Sequence, residues 1–274
     1  MIQLTQELLR QLQANLLELI VEVDRICKKC GIKFLLVGGT ALGAARHKGF
    51  IPWDDDADIG FLRPEYEKFR EACETELDKE KFYFQDHRNT EGYRWGYGKL
   101  RLKNTKFVRH NQEFMPYEQG VFVDIFPFDN VPDNYLLRCM HSFKCFLYRK
   151  TFWSKVGKKQ ARGFEKIAYK FLYLIPDKML YSCFNKFVKK SNAVRTGMVR
   201  ILTFPAANSQ YGYYRKWYEE LTEIEFDGKK FPIAKDYDNY LRFRYNGDYM
   251  KLPKPENRKT HPVSELKLIE AGNG

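Results

Sequence analysis

Apolar residues recur at helical spacing through the first thirty residues of the chain. The apolar positions are Leu4, Leu8, Leu12, Leu16, Leu19, Val23 and Ile26. This period predicts an amphipathic helix over residues 3–30, and Gly31 follows at a position where a left-handed residue often ends a helix. The apolar run KFLLVGG (33–39) comes next and predicts a short buried strand.

Helices and strands are predicted in mixed order up to residue 132. The stretch TALGAARHKG (40–49) predicts a helix, DADIGFL (56–62) a strand, and PEYEKFREACETEL (64–77) a helix with Pro64 at its start. Three further strands are predicted for KFYFQDH, YRWGYGKLRLKN and GVFVDIFPFD. The predicted fold class is therefore α+β.

Residues 133–200 differ in charge from the rest of the chain. They hold sixteen Lys and Arg against three Asp and Glu, a net charge of +13, and aromatic residues lie between the cations at helical spacing. This pattern predicts helices. We expect a mixed α and β part over residues 1–132, a basic aromatic-rich helical region over 133–204 and a C-terminal part over 205–274, all within one compact unit.

Composition narrows the class of protein. The 274 residues are 44% hydrophobic, and the net charge of +12 with a pI near 9.3 favours an anionic partner such as nucleic acid, a membrane surface or a phosphate-rich substrate. The six cysteines lack the paired spacing of a zinc site and indicate a reducing compartment. We see no signal peptide and no apolar run of about 18 residues, so a cytoplasmic protein is expected.

Three aspartates stand where a carboxylate is unfavourable. Asp56 and Asp58 are two residues apart, which in a strand places them on one face, and like charges at that spacing repel. Asp124 lies in the apolar run VFVDIF, where an unpaired charge is costly to bury. A cation would compensate all three, and hard carboxylate ligands suit Mg²⁺. Asp54 and Asp55 fit a solvated acidic turn.

Gly38 and Gly39 follow an apolar strand and precede a predicted helix. Glycines there let the backbone approach a phosphate, and the start of a helix offers N–H donors. The pair belongs neither to a P-loop nor to G-x-G-x-x-G, and taken without its neighbours it is better explained by a tight strand–helix turn.

Taken together, these motifs resemble the nucleotidyltransferase superfamily and, more closely, the LicD family of phosphorylcholine-type transferases, which is related to fukutin-like proteins. GGTALGAARHKGFIPWDDDADIGF (38–61) is similar to that family's central motif, and the resemblance continues through EYEKF, WGYGKLR, VFVDIFPFD and GDYMKLP, over about residues 25–260. Two departures lie in the tail. Asn246 interrupts the family's Tyr-Gly-Asp-Tyr, and LPKPE replaces Leu-Pro-Pro.

The resemblance implies that residues 1–132 are the catalytic core, with a nucleotidyltransferase-like mixed sheet, flanking helices and a metal-dependent site, and that residues 205–274 complete the active site. It implies that Asp56, Asp58 and Asp124 hold Mg²⁺, as one or two ions, with Mn²⁺ as an alternative. The donor phosphates would contact Gly38, Gly39, Thr40, Arg46, Lys48, Lys99 and Arg101. For Lys99 and Arg101, a solvated strand face is an equal alternative. Trp53, Trp95 and Tyr97 would offer aromatic faces to a quaternary ammonium, or would pack in the core.

The implied reaction is transfer of a phospho-alcohol, most simply phosphorylcholine from CDP-choline, to a sugar hydroxyl of a lipopolysaccharide or teichoic acid precursor, with release of CMP. The acceptor would be a lipid-linked glycan, and residues 133–200 would contact the cytoplasmic face of the membrane. Two alternatives stay open: transfer of a whole nucleotide to a small molecule, and a basic module that binds nucleic acid. The second leaves the aspartates unexplained, so no nucleic acid partner is expected.

Overall fold

The computed structural model describes residues 2–205 and 208–270. It confirms the predicted α+β class. Along the described chain, the helices and strands are α1 (Gln6–Cys30), β1 (Leu35–Leu36), α2 (Gly38–His47), β2 (Asp58–Leu62), α3 (Arg63–Thr75), β3 (Phe82–Gln85), β4 (Gly98–Leu102), β5 (Lys106–Arg109), β6 (Phe122–Val131), α4 (Tyr135–Gln160), α5 (Gly163–Tyr173), α6 (Asp177–Ser191), β7 (Met198–Arg200), β8 (Tyr213–Tyr214), α7 (Lys216–Glu219), β9 (Leu221–Phe226), β10 (Lys229–Ala234), α8 (Tyr237–Tyr245) and β11 (Val263–Lys267).

A mixed sheet built around β6 forms the centre of the protein. Its strand order is β1-β2-β6-β4-β3, and β7 and β8 continue from the far end of β6. Strands β2 and β6 run parallel, whereas the other described pairs of this sheet run antiparallel. All ten residues of β6 are buried, as expected for a strand covered on both faces.

Helix α1 packs its apolar stripe against this sheet and ends at the predicted glycine, but it begins at Gln6, three residues later than predicted. The Oγ1 atom of Thr5 accepts a hydrogen bond from the backbone N–H of Leu8 at 3.3 Å, which caps the start of the helix. Gly31 follows the last turn with a φ of 65°, in the left-handed region that favours glycine. The predicted strand over 33–39 is only two residues long, because α2 already begins at Gly38.

The basic segment folds into helices α4, α5 and α6, which confirms the helical prediction for it. Asn134 caps α4 by accepting from the N–H of Leu137 at 3.1 Å. Helices α4 and α5 touch closely at Gly157, where an added Cβ would lie 2.6 Å from the ring of Tyr169. A second, smaller apolar cluster joins α4, α6 and β7 around Phe152 and Phe184.

In the part of the chain that the structure describes, no helix combines the length and the apolar character needed to cross a membrane.

Two histidines are held in the neutral form by their surroundings. Burial lowers the pKa of His141 to about 4, and the charges of Arg200 and Lys144 act in the same direction. The His141 ring packs against Phe187 at 4.7 Å, and its Nε2 atom lies 2.9 Å from the hydroxyl of Ser191. Burial likewise lowers the pKa of His87 to about 4.

We expect the free energy of unfolding to fall as the pH drops from about 6.5 to about 4, because the unfolded chain takes up these protons before the folded chain does. His141→Gln should remove part of that loss, about 1 kcal/mol for a partly screened group. Urea unfolding of both proteins at neutral and acidic pH measures the difference. The control is His110→Gln, since His110 is exposed. If wild type and His141→Gln lose equal free energy of unfolding at acidic pH, His141 does not have the lowered pKa that we assign to it.

Candidate active site

Two carboxylates from distant parts of the chain meet at the centre of the sheet. In the parallel register of β2 and β6, Asp58 stands directly opposite Asp124, and the N–H of Asp124 donates to the carbonyl of Ala57 at 2.9 Å. Residues paired across two strands point to the same face. Asp56 lies in the loop just before β2. The prediction that Asp56 and Asp58 share one face of the same strand is therefore wrong, because the strand begins only at Asp58.

The start of helix α2 is fitted around these carboxylates. Gly38 has a φ of 57°, and a Cβ added there would lie 2.4 Å from the Oδ2 atom of Asp58. A Cβ on Gly39 would lie 2.9 Å from Oδ2 of Asp54. Thr40 fixes the backbone, since its Oγ1 accepts from the N–H of Asp58 at 2.8 Å. The glycine pair therefore lets carboxylates approach the positive end of a helix.

The carboxylates near α2 repel one another without full compensation from the protein. Burial and the charges of Asp56 and Asp55 raise the pKa of Asp54 to about 8. Burial raises the pKa of Asp58 well above its ordinary value, and the charges of Asp56 and Asp124 add to the effect. Burial also raises the pKa of Asp56, although Arg109 opposes this. Such a cluster favours a bound cation.

Asp55 differs from its neighbours because the fold surrounds it with donors. Its Oδ1 atom lies 2.8 Å from Nδ1 of His261, and its Oδ2 accepts from the His261 backbone N–H at 2.9 Å and from Arg109 at 3.1 Å. Burial acts to raise the Asp55 pKa, but these partners outweigh it and the pKa is lowered. The prediction that Asp54 and Asp55 form a solvated turn is wrong, since Asp55 is fully buried and Asp54 half-buried.

Asp55, Asp56 and His261 also form a group whose ligand atoms lie within 4.8 Å of one another, so they offer a second possible metal-binding set. The Nδ1 atom of His261 is 3.7 Å from Oδ2 of Asp56. Arg109 bridges the same two aspartates, reaching Oδ2 of Asp56 at 3.3 Å. The sequence analysis did not single out Arg109 or His261. No local pattern marks them, because His261 is 206 residues from Asp55 along the chain.

Lys99 and Arg101 lie on β4, on the other side of β6 from Asp58. Lys99 is in register with Asp124 and forms an ion pair with it. Burial lowers the pKa of Lys99 to about 8, although Asp124 opposes the shift. Arg101 donates to Oε1 of Gln85 at 2.6 Å and to the carbonyl of Gly120 at 2.7 Å. Both cations are buried, so the alternative of a solvated strand face is wrong.

Arg46 and Lys48 lie at the opposite end of α2 from its glycine start, about 14 Å along a ten-residue helix. Arg46 donates to the carbonyl of Tyr249 at 2.8 Å. Lys48 is exposed, and its nearest acidic partner is Glu225 at 3.7 Å. Neither cation lines the cavity described next.

A cavity of about 570 Å³ opens beside Asp56 and Asp124. Its aromatic wall includes Trp95, Tyr97, Tyr117, Phe122, Trp153, Tyr169 and Phe204, and its cationic wall consists of Lys99, Arg101, Arg109, Arg149 and Lys150. Helices α4 and α5 thus contribute part of the wall. Trp53 is not in this lining. It packs edge-on against His47 and beneath the guanidinium of Arg258.

Asp58 faces a smaller adjoining cavity of about 40 Å³, lined also by Gly38, Tyr240 and Arg244. The two cavities share Phe204 and Pro205 as a common wall. A larger space of about 970 Å³ lies at the outer edge of β3 and β4, but none of the three predicted metal ligands lines it. The acidic centre and the aromatic cavity therefore define the candidate site.

A mixed sheet that pairs carboxylates across β2 and β6, next to a helix that begins with Gly-Gly, is the architecture of a nucleotidyltransferase-type enzyme. Residues 31–155 match the family described as "LicD/FKTN/FKRP, nucleotidyltransferase domain". This match, with the similarity along nearly the whole chain given next, supports the LicD-family phosphotransferase that the sequence resemblance predicts.

Similar proteins extend this finding. The chain is 28% identical to the lipopolysaccharide cholinephosphotransferase LicD of Haemophilus influenzae, over 95% of this chain and 98% of that protein. It is 49% identical over 35 residues to the ribitol 5-phosphate transferase FKRP of mouse, which corresponds to 13% of this chain and 7% of FKRP. The human FKRP gives the same values.

We expect Gly38→Ala to reduce turnover at least about tenfold, because the new Cβ would displace the Asp58 carboxylate, and small displacements at a reacting centre are costly. Gly31→Ala is the matched control. Gly31 has a similar φ of 65° but no atom within 4 Å of an added Cβ. It should lose only about 1 kcal/mol of stability and keep its turnover. Equal turnover in Gly38→Ala and Gly31→Ala would contradict the close approach of the Asp58 carboxylate to Gly38.

Proposed function

We propose that this enzyme transfers phosphocholine from CDP-choline to a sugar hydroxyl of a cell-surface glycan precursor and releases CMP. The similarity to the Haemophilus influenzae cholinephosphotransferase, which extends along nearly the whole of both chains, supports this donor group and a lipopolysaccharide-type acceptor. A teichoic acid precursor on a lipid carrier presents the same chemistry. The observation that carries the proposal is the pairing of Asp58 with Asp124 beside an aromatic, cation-lined cavity.

Asp56, Asp58 and Asp124 are the residues that we assign to Mg²⁺. Their oxygens are the ligands that this ion prefers, and burial with mutual repulsion leaves the cluster short of positive charge. Mn²⁺ or a second ion would suit the same oxygens. When bound, the metal neutralises phosphate charge and orients the phosphate oxygens. Asp55 and His261 fit a supporting role, since the Asp55 carboxylate already has Arg109 and His261 as partners.

The donor diphosphate is assigned to the cationic wall. Lys99, Arg101 and Arg109 reach the cavity from β4 and β5, next to Asp124. Gly38, Gly39 and Thr40 border the acidic centre from the other side and offer the start of α2. Arg46 and Lys48 are left out of this assignment because they lie at the far end of that helix.

The choline group is assigned to the aromatic wall. A quaternary ammonium binds over aromatic faces, and Trp95 lies 6.3 Å from Tyr97 and 5.5 Å from Trp153, between ring centroids. Trp95 is also held in place, because its Nε1 donates to the hydroxyl of Tyr117 at 3.0 Å. Trp153 joins the predicted pair from helix α4, and Trp53 lies elsewhere.

The proposed chemistry is a single displacement at phosphorus. The acceptor hydroxyl oxygen forms a bond to the phosphorus that bears choline, and the bond from that phosphorus to the bridging oxygen breaks. CMP leaves with the electron pair. Asp124 orients the hydroxyl or accepts its proton, and Lys99 holds the Asp124 carboxylate in place.

The three segments predicted from sequence act together in this proposal. Asp56 and Trp95 of residues 1–132, Trp153 of residues 133–204 and His261 of residues 205–274 line one cavity. We place the reaction in the cytoplasm, at the inner face of the membrane, where a lipid-linked acceptor is accessible. The described cysteines are free thiols, as a reducing compartment allows.

The decisive experiment identifies the released product. With Mg²⁺, CDP-choline and lipopolysaccharide as acceptor, we expect CMP and acceptor-bound phosphocholine, both abolished by EDTA. Asp58→Asn and Asp124→Asn should lower turnover by at least about a thousandfold, since each removes a group from the reacting centre. Asp78→Asn, at an exposed aspartate, is the control.

Release of pyrophosphate from CTP, without CMP from CDP-choline, would instead establish transfer of a whole nucleotide. Salt-sensitive binding of RNA or DNA by a protein that turns over neither donor would support a nucleic acid module. Normal turnover of Asp58→Asn or Asp124→Asn would remove that residue from the site.

Trp95→Leu should raise the KM for CDP-choline about tenfold, with a much smaller effect on CDP-ethanolamine turnover, because the indole face recognises the methylated ammonium. Trp53→Leu removes the same type of side chain outside the cavity and should leave this donor preference unchanged. Steady-state kinetics with both donors gives the ratio of kcat/KM for CDP-choline to kcat/KM for CDP-ethanolamine. If this ratio falls equally in Trp95→Leu and Trp53→Leu, the choline group binds elsewhere.

A further inference from the structure

Helices α4 and α5 leave two apolar stripes uncovered. The first stripe is Leu136, Met140, Phe143 and Leu147 of α4, and the second is Phe164, Ile167, Phe171 and Leu174, along α5 and the residue after it. All eight are exposed. Each stripe follows the three- and four-residue spacing that places side chains on one side of a helix. Phe164 is 86% exposed and Leu136 73% exposed, which is unusual for side chains of this size in a protein with its own core.

Helix α5 contributes little to the core of the protein. Tyr169 is its one buried residue among the eleven, all of which are described. A helix this short is marginal in water unless an apolar face is packed. The strongest apolar side chains of α5, Phe164 and Phe171, instead point into solvent.

The two stripes lie on neighbouring helices. Lys150 of α4 links these helices beside the stripes: its Nζ atom lies 5.7 Å from the centre of the Phe146 ring of α4 and 2.9 Å from Glu165 of α5. A shallow groove of about 520 Å³ contains Leu147 of the first stripe, Ile175, which follows directly after Leu174 of the second, and Met179 of α6. We call the eight residues of the two stripes the apolar face.

Unpaired cations surround the apolar face. Nine exposed Lys and Arg of the basic segment form no ion pair within the described residues: Lys144, Lys159, Arg162, Lys166, Lys170, Lys178, Lys186, Lys189 and Lys190. Lys144, Lys186 and Lys190 line the same groove as Leu147. Other cations of the segment are engaged inside the protein. Arg138, for example, donates to three backbone carbonyls.

We propose that the apolar face, with the cations around it, docks on the surface of a bilayer that contains anionic phospholipids. Surface helices bind lipid through apolar side chains that lie between cations. The apolar side chains enter the membrane interface, and the cations attract the anionic headgroups. A second copy of the chain is a poorer occupant, because two such faces would bring like charges together.

The position of the apolar face suits the proposed acceptor. A groove of about 370 Å³ begins at Phe143 and Phe146, and it shares Arg149, Phe204 and Pro205 with the cavity beside Asp124. Docking would therefore place the mouth of the cavity next to the bilayer. This consequence rests on the proposed function, whereas the docking itself does not.

Vesicle co-sedimentation of the full chain, without nucleotide or acceptor, tests the docking. Wild-type protein should bind vesicles of phosphatidylglycerol and phosphatidylcholine at low salt, and binding should weaken with salt and without the anionic lipid. The double variant Phe164→Gln with Phe171→Gln should lower the partition coefficient at least about tenfold. Lys166→Gln with Lys170→Gln should lower it about fivefold for each charge removed.

Matched controls lie outside the basic segment. Met250→Gln with Leu252→Gln changes two exposed apolar residues, and Lys229→Gln with Lys230→Gln removes two exposed charges. Both should bind as wild type does. Sedimentation velocity without vesicles shows whether the protein dimerises, as it would if a second copy of the chain covered the apolar face.

The docking proposal is overturned if wild-type protein stays in the supernatant with anionic vesicles at low salt, or if the control pairs weaken binding as much as the test pairs. A dimer that Phe164→Gln with Phe171→Gln dissolves, without vesicle binding by the wild type, would assign the face to a second copy. Because no substrate is present, these outcomes do not depend on whether CDP-choline is the donor.

Discussion

The register between β2 and β6 is the constraint on which the candidate site depends. It sets Asp58 opposite Asp124, and the antiparallel register of β4 sets Lys99 against Asp124 from the other side. A shift of one residue would turn the Asp124 side chain to the opposite face, away from both partners. Since β6 is buried along its whole length, that change would leave a carboxylate unpaired in the core.

The acidic centre is the electrostatic counterpart of the basic helical region. The fold crowds carboxylates at the start of α2, and within the described residues Asp55, Asp56 and Asp124 have cationic partners within 4 Å, whereas Asp54 and Asp58 have none. Lys99 and Arg109 neutralise part of this charge, while most cations of α4 to α6 point outward. The same helical segment therefore has two surfaces: Trp153 and Tyr169 line the cavity, and the opposite side carries the apolar face. The basic helical region thus couples the shape of the site to the protein surface.

Local patterns were enough to predict much of the fold. The period of α1, its end at Gly31 and the order of helices and strands up to β4 follow from residues that are neighbours in the sequence, as does β6, whereas β5 was not predicted. Element ends were less well predicted. Strand β1 was expected to include Gly38, but the closeness of Asp58 and the hydrogen bond to Thr40 draw these residues into the first turn of α2.

The sequence by itself determined the chemistry available: the aspartates, the glycine pair and the family that they resemble, because these lie within one contiguous motif and one apolar strand. Only the tertiary structure decided which groups surround them. Asp55 became a buried acceptor because His261 reaches it from 206 residues away. Trp95 lines the cavity and Trp53 does not, although both are tryptophans near the motifs. Contacts between distant segments leave no local pattern, so burial and partners had to come from the fold.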